Sequence, residues 1–355
     1  MTVHDHSKHG MTWLEVSDKW RNLRKIGNNY IFANLKLEAR QDLRRKKVDE
    51  LLQEVGNCCR EGKAVDIAQA SFRTTLNLLS NTFFSVDLAD TSSENAREFK
   101  DAVKGIMEVI AKPNLSDYFP IVRFLDPQGI RRETGVLCQK FLGIFDRIIN
   151  EWLRSSNESD RREKNGDVLD TLLGIAEDKN MDLDLAEIRH LFLELFTAGN
   201  DTTSSTLEWA MTELLRNPKA MSRAREELRE NIGVGNTVEE SDTTRLPYLH
   251  AIVKETFRLH PPAPFLIPRK SGSDVEINGF VIPKGATVWG PWLQMFEEGV
   301  EVGQFVWVHW RLVENELGQL MRVMEKLGPL SGQGKPVLQG AKESEPDQHQ
   351  LQRGE

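Results

Sequence analysis

The sequence has few cysteines, no long apolar run and no block of one charge. Three cysteines among 355 residues, Cys58, Cys59 and Cys138, argue against a disulfide framework and favour a reducing compartment. No apolar run reaches about 18 residues, so we expect no membrane anchor in this chain. The net charge of -8 is spread along the whole length, which argues against nucleic-acid binding.

Three histidines, His4, His6 and His9, lie in the first ten residues. Histidine is a common ligand of transition metals, but no acidic or cysteine ligand accompanies these three in the pattern expected of a metal site. We therefore expect a solvated, histidine-rich start to the chain and no metal site there.

Helical periodicity dominates what the sequence does contain. Apolar residues recur at helical spacing among Arg, Lys and Glu from Asn34 to Arg60, as on an amphipathic helix. Further helices are predicted at 65–82, 94–111, 129–155, 164–177, 185–216, 220–232 and 246–259. The strand signal is short: Val275–Ile277 and Phe280–Ile282 flank Asn278-Gly279, a dipeptide suited to a two-residue hairpin turn. The predicted fold class is therefore mainly α, with a small β hairpin.

The predicted helix at 185–216 has a small, polar middle, from Ala198 to Thr203. In one interpretation the helical ladder opens there: Gly199 lets a flat ligand approach the backbone, and Asp201 and Thr202 bond to nearby backbone groups. In the other, the helix breaks and Asp201 or Thr202 caps a second helix. Spacing alone favours the break.

Three motifs resemble the cytochrome P450 family. Ala198–Thr203 matches the A/G-G-x-D/E-T-T/S segment of its central helix, and Glu255-Thr256-Phe257-Arg258, continued by His260-Pro261-Pro262, resembles its E-x-x-R helix. Trp20-Arg21-Asn22-Leu23-Arg24 resembles the W-x-x-x-R helix of plant members. Arg269 and the hairpin at 275–285 match the elements that follow.

The resemblance covers residues 1–288, from about His4 onwards, and implies a partial cytochrome P450 domain. Residues 289–355 match nothing in the family and are expected to form an irregular or disordered tail. The first strands of the family fold precede the point where this resemblance begins, so we expect them to be missing here.

The family roles can be carried over residue by residue. The resemblance implies that Asp201 and Thr202 deliver protons to iron-bound dioxygen. The implied haem-binding residues are Trp20, Arg24 and Arg269 at the propionates, with Ala198 and Gly199 beside the haem face. Substrate contacts would come from Leu195, Phe196, Ala263, Phe265 and Leu266, and Glu255 with Arg258 would form a structural ion pair.

A subgroup is indicated by 64–67 and 72–82, which resemble the plant group that contains geraniol 8-hydroxylase-like enzymes. That group implies hydroxylation of a monoterpenoid or another small lipophilic substrate. It also implies haem, molecular oxygen and electrons from NADPH-cytochrome P450 reductase. The family is located at the endoplasmic reticulum membrane, whereas a chain without an anchor would be cytosolic.

The sequence departs from the family at the iron ligand. In the family a cysteine thiolate in an F-x-x-G-x-R-x-C-x-G loop holds the haem iron, but here no cysteine follows Cys138 and no P-x-R-F segment follows the hairpin. His309 is an alternative imidazole ligand, yet nothing around it resembles the cysteine loop. We therefore predict no metal ligand in this chain.

The missing P-x-R-F arginine would also leave Glu255 and Arg258 in a broken buried network, at a cost of about 3 to 5 kcal/mol. Two readings of the function follow. The chain is either a monooxygenase by descent or a catalytically inactive fragment without the haem thiolate. A third reading, in which Arg21, Arg24 and Lys25 dock a redox partner, competes with a merely solvated basic face.

Overall fold

The computed structural model describes residues 3–89, 94–157, 166–178, 182–233, 236 and 238–290. Its helices are α1 (His6–His9), α2 (Asp18–Ile26), α3 (Asn34–Glu38), α4 (Gln41–Arg60), α5 (Ile67–Phe84), α6 (Glu94–Ala111), α7 (Leu115–Tyr118), α8 (Ile130–Asn157), α9 (Val168–Glu177), α10 (Leu185–Arg216), α11 (Pro218–Ile232) and α12 (Pro247–Leu259). The strands are β1 (Arg269–Lys270), β2 (Val275–Ile277), β3 (Phe280–Ile282) and β4 (Thr287–Val288). The mainly α fold class is confirmed.

Side-chain caps explain where several of these helices begin. Ser17 accepts a hydrogen bond from the Trp20 amide at the start of α2, and Asp66 accepts one from Gln69 at the start of α5. Asp184 opens α10 with a capping box, in which its side chain and that of Glu187 each accept a backbone N–H of the other residue. These contacts satisfy amides that have no partner inside the helix.

The 32-residue helix α10 crosses the molecule without a break and is about 48 Å long at 1.5 Å per residue. In its polar middle the Thr202 hydroxyl donates to the Ala198 carbonyl at 2.6 Å and Thr203 donates to Gly199 at 2.9 Å. Because these hydroxyls bond within the helix, they neither end it nor cap another. The helix-break interpretation is therefore wrong.

The apolar core forms two clusters along α10. The first is rich in aromatic side chains from α5, α6, α8 and α10, namely Phe83, Phe84, Phe99, Phe141, Phe145, Phe192 and Phe196. The second joins the C-terminal half of α10 to α4, α11 and α12 through residues such as Leu207, Leu228 and Phe257. Because side chains of α10 belong to both clusters, this helix is the central element on which the other helices pack.

The strands form two separate antiparallel pairs. In one, β2 pairs with β3 with Ile277 opposite Phe280, and Asn278 and Gly279 both have positive φ, at 51° and 82°. This is the backbone of a two-residue hairpin turn, so the predicted hairpin is confirmed. In the other, β1 pairs with β4 with Arg269 opposite Val288. The predicted tail beyond position 290, with His309, lies outside the described residues.

Candidate active site

The polar middle of α10 contains an acid, Asp201, followed in the sequence by a hydroxyl-bearing residue, Thr202. Asp201 is partly buried, and this burial raises the pKa of its carboxyl group above the ordinary value. Thr202 follows it with a hydroxyl that already donates to the Ala198 carbonyl. The Thr202 oxygen keeps lone pairs in this geometry, so it can accept a hydrogen bond from a further donor. The burial of Asp201 favours the protonated form of its carboxyl group.

Gly199 lies against α5. A Cβ atom placed on it would lie 3.3 Å and 3.6 Å from the two terminal carbons of Leu79. The missing side chain therefore lets α10 and α5 approach each other closely. In this structure the absence of a side chain at Gly199 allows the two helices to pack. The family resemblance implies a further role, which is to leave space beside the haem.

Asn200 is a residue that the motif leaves unspecified. It is 0% exposed, and both Oδ1 and Nδ2 lie buried without a hydrogen-bond partner among the described residues. A buried amide with neither atom bonded is rare, because its desolvation is not compensated. The only signal in the sequence was the position of this asparagine, between Gly199 and Asp201 of the motif.

Trp20 and Arg24 come together on α2. The Arg24 guanidinium carbon lies 5.6 Å from the centre of the Trp20 ring, one helical turn away, which is a cation–π contact. Arg24 is exposed, and so is Arg269 on β1. Both cations are therefore accessible to an anionic group such as a propionate.

The five substrate residues fall into two environments. Leu195 is 5% exposed and Phe196 is 0% exposed, with the Phe196 ring 5.3 Å from that of Phe83 and 5.1 Å from that of Phe99. Ala263, Phe265 and Leu266 lie on the irregular segment between α12 and β1, where Phe265 is 61% exposed. Phe196 thus belongs to the aromatic core, whereas Phe265 is open to solvent.

Glu255 and Arg258 make a double hydrogen bond, with both N–O distances at 2.7 Å. The bond from Arg258 lowers the pKa of Glu255. Both side chains are 55% exposed, however, so this is a surface pair between neighbouring turns of α12. The predicted buried network with a large breaking cost is wrong for this structure, because solvent already hydrates both charges.

Next to this pair, His260 links α12 to α10. Its ring stacks on that of Trp209 with centroids 3.8 Å apart and a 6° angle between planes, and its Nε2 lies 3.1 Å from Glu213 Oε1. The sequence singled out His260 only as part of His-Pro-Pro. The stack gives it a definite task, which is to fix where the chain leaves α12 toward 263–267.

The histidine-rich start is not solvated as a whole, so that prediction is wrong. His6 is 3% exposed, and its Nδ1 lies 2.7 Å from Nδ1 of His190 on α10, while its Nε2 lies 3.5 Å from Glu194 Oε1. The partners come from about 180 residues further along the chain, which is why local sequence could not reveal them. Only His4 of the three is exposed.

A haem iron held by thiolate does not fit the cysteines of this chain. Cys138 is 2% exposed within the apolar core of α8, and burial raises the pKa of its thiol to about 11. Cys58 and Cys59 lie on α4, where burial raises the pKa of Cys59. A neutral thiol is a poor ligand for iron. Arg24 and Arg269 are thus open to an anionic group, whereas no cysteine suits the iron.

Comparison with known sequences agrees with these features. The model of the cytochrome P450 family matches residues 2–295, and the chain therefore belongs to the cytochrome P450 family. Within the family it is similar to plant members. It is 48% identical over 286 residues to geraniol 8-hydroxylase of Catharanthus roseus, which covers 81% of this chain and 57% of that protein.

Two further relatives differ in what their names state about activity. Drimenol monooxygenase of Persicaria hydropiper is 48% identical over 288 residues, 81% of this chain and 57% of the relative. A protein named inactive cytochrome P450 76AD1, from Beta vulgaris, is 47% identical over 288 residues, 81% of this chain and 69% of the relative. The chain spans a little more than half the length of most curated relatives it matches.

Hydropathy adds one observation on membranes. In the part of the chain that the structure describes, no helix combines the length and apolar character needed to cross a bilayer.

Proposed function

We propose that this chain carries the distal-helix and propionate-binding elements of a haem-dependent monooxygenase that hydroxylates a small lipophilic, monoterpenoid-like substrate. The observation that carries the proposal is the middle of α10, where a partly buried acid with a raised pKa, Asp201, is followed in the sequence by the hydroxyl-bearing Thr202. Membership of the cytochrome P450 family supports it.

Asp201 and Thr202 would move protons. An acid whose pKa is raised by burial holds its proton more readily near neutral pH and can pass it on. The Thr202 oxygen is fixed by its bond to Ala198, so it would accept a hydrogen bond from a water that carries the proton and hold that water at a defined position on α10. Burial of the neighbouring helix surface would exclude bulk water from this transfer.

Haem, when bound, supplies the oxygen activation and oxidation chemistry of the family. The residues that would hold it are Trp20 and Arg24 on α2 and Arg269 on β1, through their contacts to propionates. Arg24 is oriented by the Trp20 ring, which limits the positions that its guanidinium takes. No step is assigned to the iron itself, because no cysteine of the chain fits as its ligand.

The substrate and partner follow from the relatives. The names of two relatives include geraniol and drimenol, both small lipophilic alcohols, which supports a terpenoid-like substrate for this chain. Leu195, Ala263, Phe265 and Leu266 are the proposed apolar contacts. The proposed electron donor is NADPH-cytochrome P450 reductase, and the proposed location is the endoplasmic reticulum membrane, as in the family.

A second candidate function is a catalytically inactive family member. It is favoured by the cysteine environments, since Cys138 is sealed in the core and no cysteine follows it. Similarity to a relative named as inactive, over 69% of that protein, is in line with this candidate.

One experiment separates the two. The full chain would be purified, incubated with haem, reduced and exposed to carbon monoxide. A thiolate-type Soret band, together with hydroxylation of geraniol in the presence of the reductase, would support the monooxygenase. Haem that binds with an imidazole-type or free-haem spectrum, and no product, would support the inactive protein. An Arg24→Gln variant tests the propionate role, with Arg21→Gln on the same helix as the control.

A further inference from the structure

The short helix α1 lies against the N-terminal half of α10 and brings two histidines to a row of ligand-type side chains. Its histidines are His6 and His9, and the facing residues on α10 and at its N-cap are Asp184, Glu187, His190 and Glu194. Spacings of three and four residues place the α10 side chains along one face of the helix.

Three of these groups converge. Ligand atoms of His9, Asp184 and Glu187 all lie within 4.8 Å of one another. A tetrahedral zinc ion with bonds of about 2.0 to 2.1 Å needs ligand atoms about 3.4 Å apart, so the side chains would close by at most about 1.4 Å around an ion. His9 Nδ1 is buried and has no hydrogen-bond partner among the described residues. A buried imidazole nitrogen without a hydrogen-bond partner is available to bind a metal ion.

Neighbouring contacts hold His9 in this position. Its ring stacks on that of His190, with centroids 5.4 Å apart and an 8° angle between planes. His190 in turn bonds to His6, and Thr12 donates its amide to Glu194 at 2.9 Å. The turn that bears His9 is thus tied to α10 on both sides, as a preorganised ligand should be.

The net charge of these side chains is also compatible with a bound cation. Glu187 is almost fully buried and Lys19 Nζ lies 2.7 Å from its Oε1, so one of the two carboxylate charges is compensated and one is not. The capping box uses Asp184 Oδ1 and Glu187 Oε2 as acceptors from backbone amides. Each carboxylate oxygen keeps a further lone pair, and Asp184 Oδ2 is outside the cap. The helix N-terminus opposes a cation with a partial charge of about +0.5, which the one uncompensated carboxylate charge still exceeds.

We propose that His9, Asp184 and Glu187 form a site for a divalent d-block cation of the zinc class. One imidazole and two carboxylates suit such an ion better than Ca²⁺ or Mg²⁺, which prefer oxygen ligands alone. A bound ion would clamp the segment at 4–14 onto α10. This site is independent of haem and of the proposed monooxygenase activity.

The test is metal binding by the haem-free full chain after chelator treatment. Titration with Zn²⁺ by calorimetry, and with Co²⁺ by visible absorption, is expected to show one tight site per chain, a tetrahedral-type Co²⁺ spectrum and a raised Tm. His9→Gln and Asp184→Asn should each weaken binding at least tenfold. Asn still caps a helix, so Asp184→Asn keeps α10 intact.

His4→Gln is the matched control, because His4 is an exposed histidine of the same segment whose Nε2 bonds to the Gly135 carbonyl. It should retain full affinity. The proposal is overturned if no stoichiometric ion binds, if His9→Gln and Asp184→Asn bind as the unaltered chain does, or if His4→Gln loses as much affinity as they do.

Discussion

Nδ1 of His6 and Nδ1 of His190 lie 2.7 Å apart, although 184 positions separate the two residues in the sequence. Only one of the two nitrogens can donate, so the pair is satisfied when both rings are neutral. Burial lowers the pKa of each ring to about 4, and the neighbouring histidines contribute to this shift. Glu194 beside them has its pKa raised to about 7, mainly by burial.

Replacing Glu194 by Gln should steepen the pH dependence of stability. Between about pH 4.5 and 6.5 the unfolded chain binds up to two more protons at the histidines, and the folded chain binds up to one more at Glu194. The unfolded chain therefore binds about one proton more than the folded chain, which makes the free energy of unfolding rise with pH. In Glu194→Gln this difference in bound protons increases to about two. Urea unfolding in chelator across this range measures the slope, which should roughly double. Glu276→Gln on exposed β2 is the control, and an unchanged slope in Glu194→Gln contradicts the assignment.

Gly10→Ala and Gly56→Ala should change stability in opposite directions. A Cβ on Gly10 would lie 2.7 Å from Glu194 Oε1 and 2.8 Å from His6 Cε1, so overpacking should cost about 1 to 3 kcal/mol. A Cβ on Gly56, inside α4, meets nothing within 4 Å, so Gly56→Ala should gain up to about 1 kcal/mol. Thermal unfolding of both variants checks this pair. Equal effects of the two changes would count against the close contact at Gly10.

Glu255→Ala should change the free energy of unfolding by less than about 1 kcal/mol, because the pair with Arg258 is half exposed. Denaturant unfolding measures the change, and Arg258→Ala is expected to behave alike. A loss of 3 kcal/mol or more in either variant would restore the buried-network interpretation.

Asp201→Asn should stabilise the chain at neutral pH. Burial raises the pKa of Asp201, so the folded state binds its proton more tightly than the unfolded state, and stability from this group falls as pH rises above its unfolded pKa of 3.8. Asparagine removes that penalty. The gain in Tm should be largest near neutral pH and fade in acid, and a gain that is constant with pH would contradict this cause.

The boundaries of helices and strands were predictable where residues close in the sequence determine them. The bounds of α10 follow from an Asp184 cap and Asn217-Pro218, and the hairpin follows from Asn278-Gly279. Both are signals within a few residues. The predicted helix at 34–60 is divided by Ala39 and Arg40 into α3 and α4, a boundary that no strong signal marks.

The errors concern residues whose surroundings come from distant parts of the chain. His6 was expected in solvent because His190 and Glu194 cannot be associated with it from spacing. Glu255 and Arg258 were expected in a buried network, whereas their side of α12 is exposed. Spacing alone favoured a break in the middle of α10, because Thr and Asp compete with the backbone ladder, yet the hydroxyls bond to the preceding turn instead.

The β2–β3 hairpin has a consequence for the behaviour of the chain in solution. Phe280 and Val281 are 78% and 66% exposed, and in the described part each strand has a neighbour on one side only. Open edges with apolar side chains accept strands from other copies. The net charge of -8 keeps copies apart until salt screens it. Raising the ionic strength should therefore lower the concentration at which solutions of this chain stay clear.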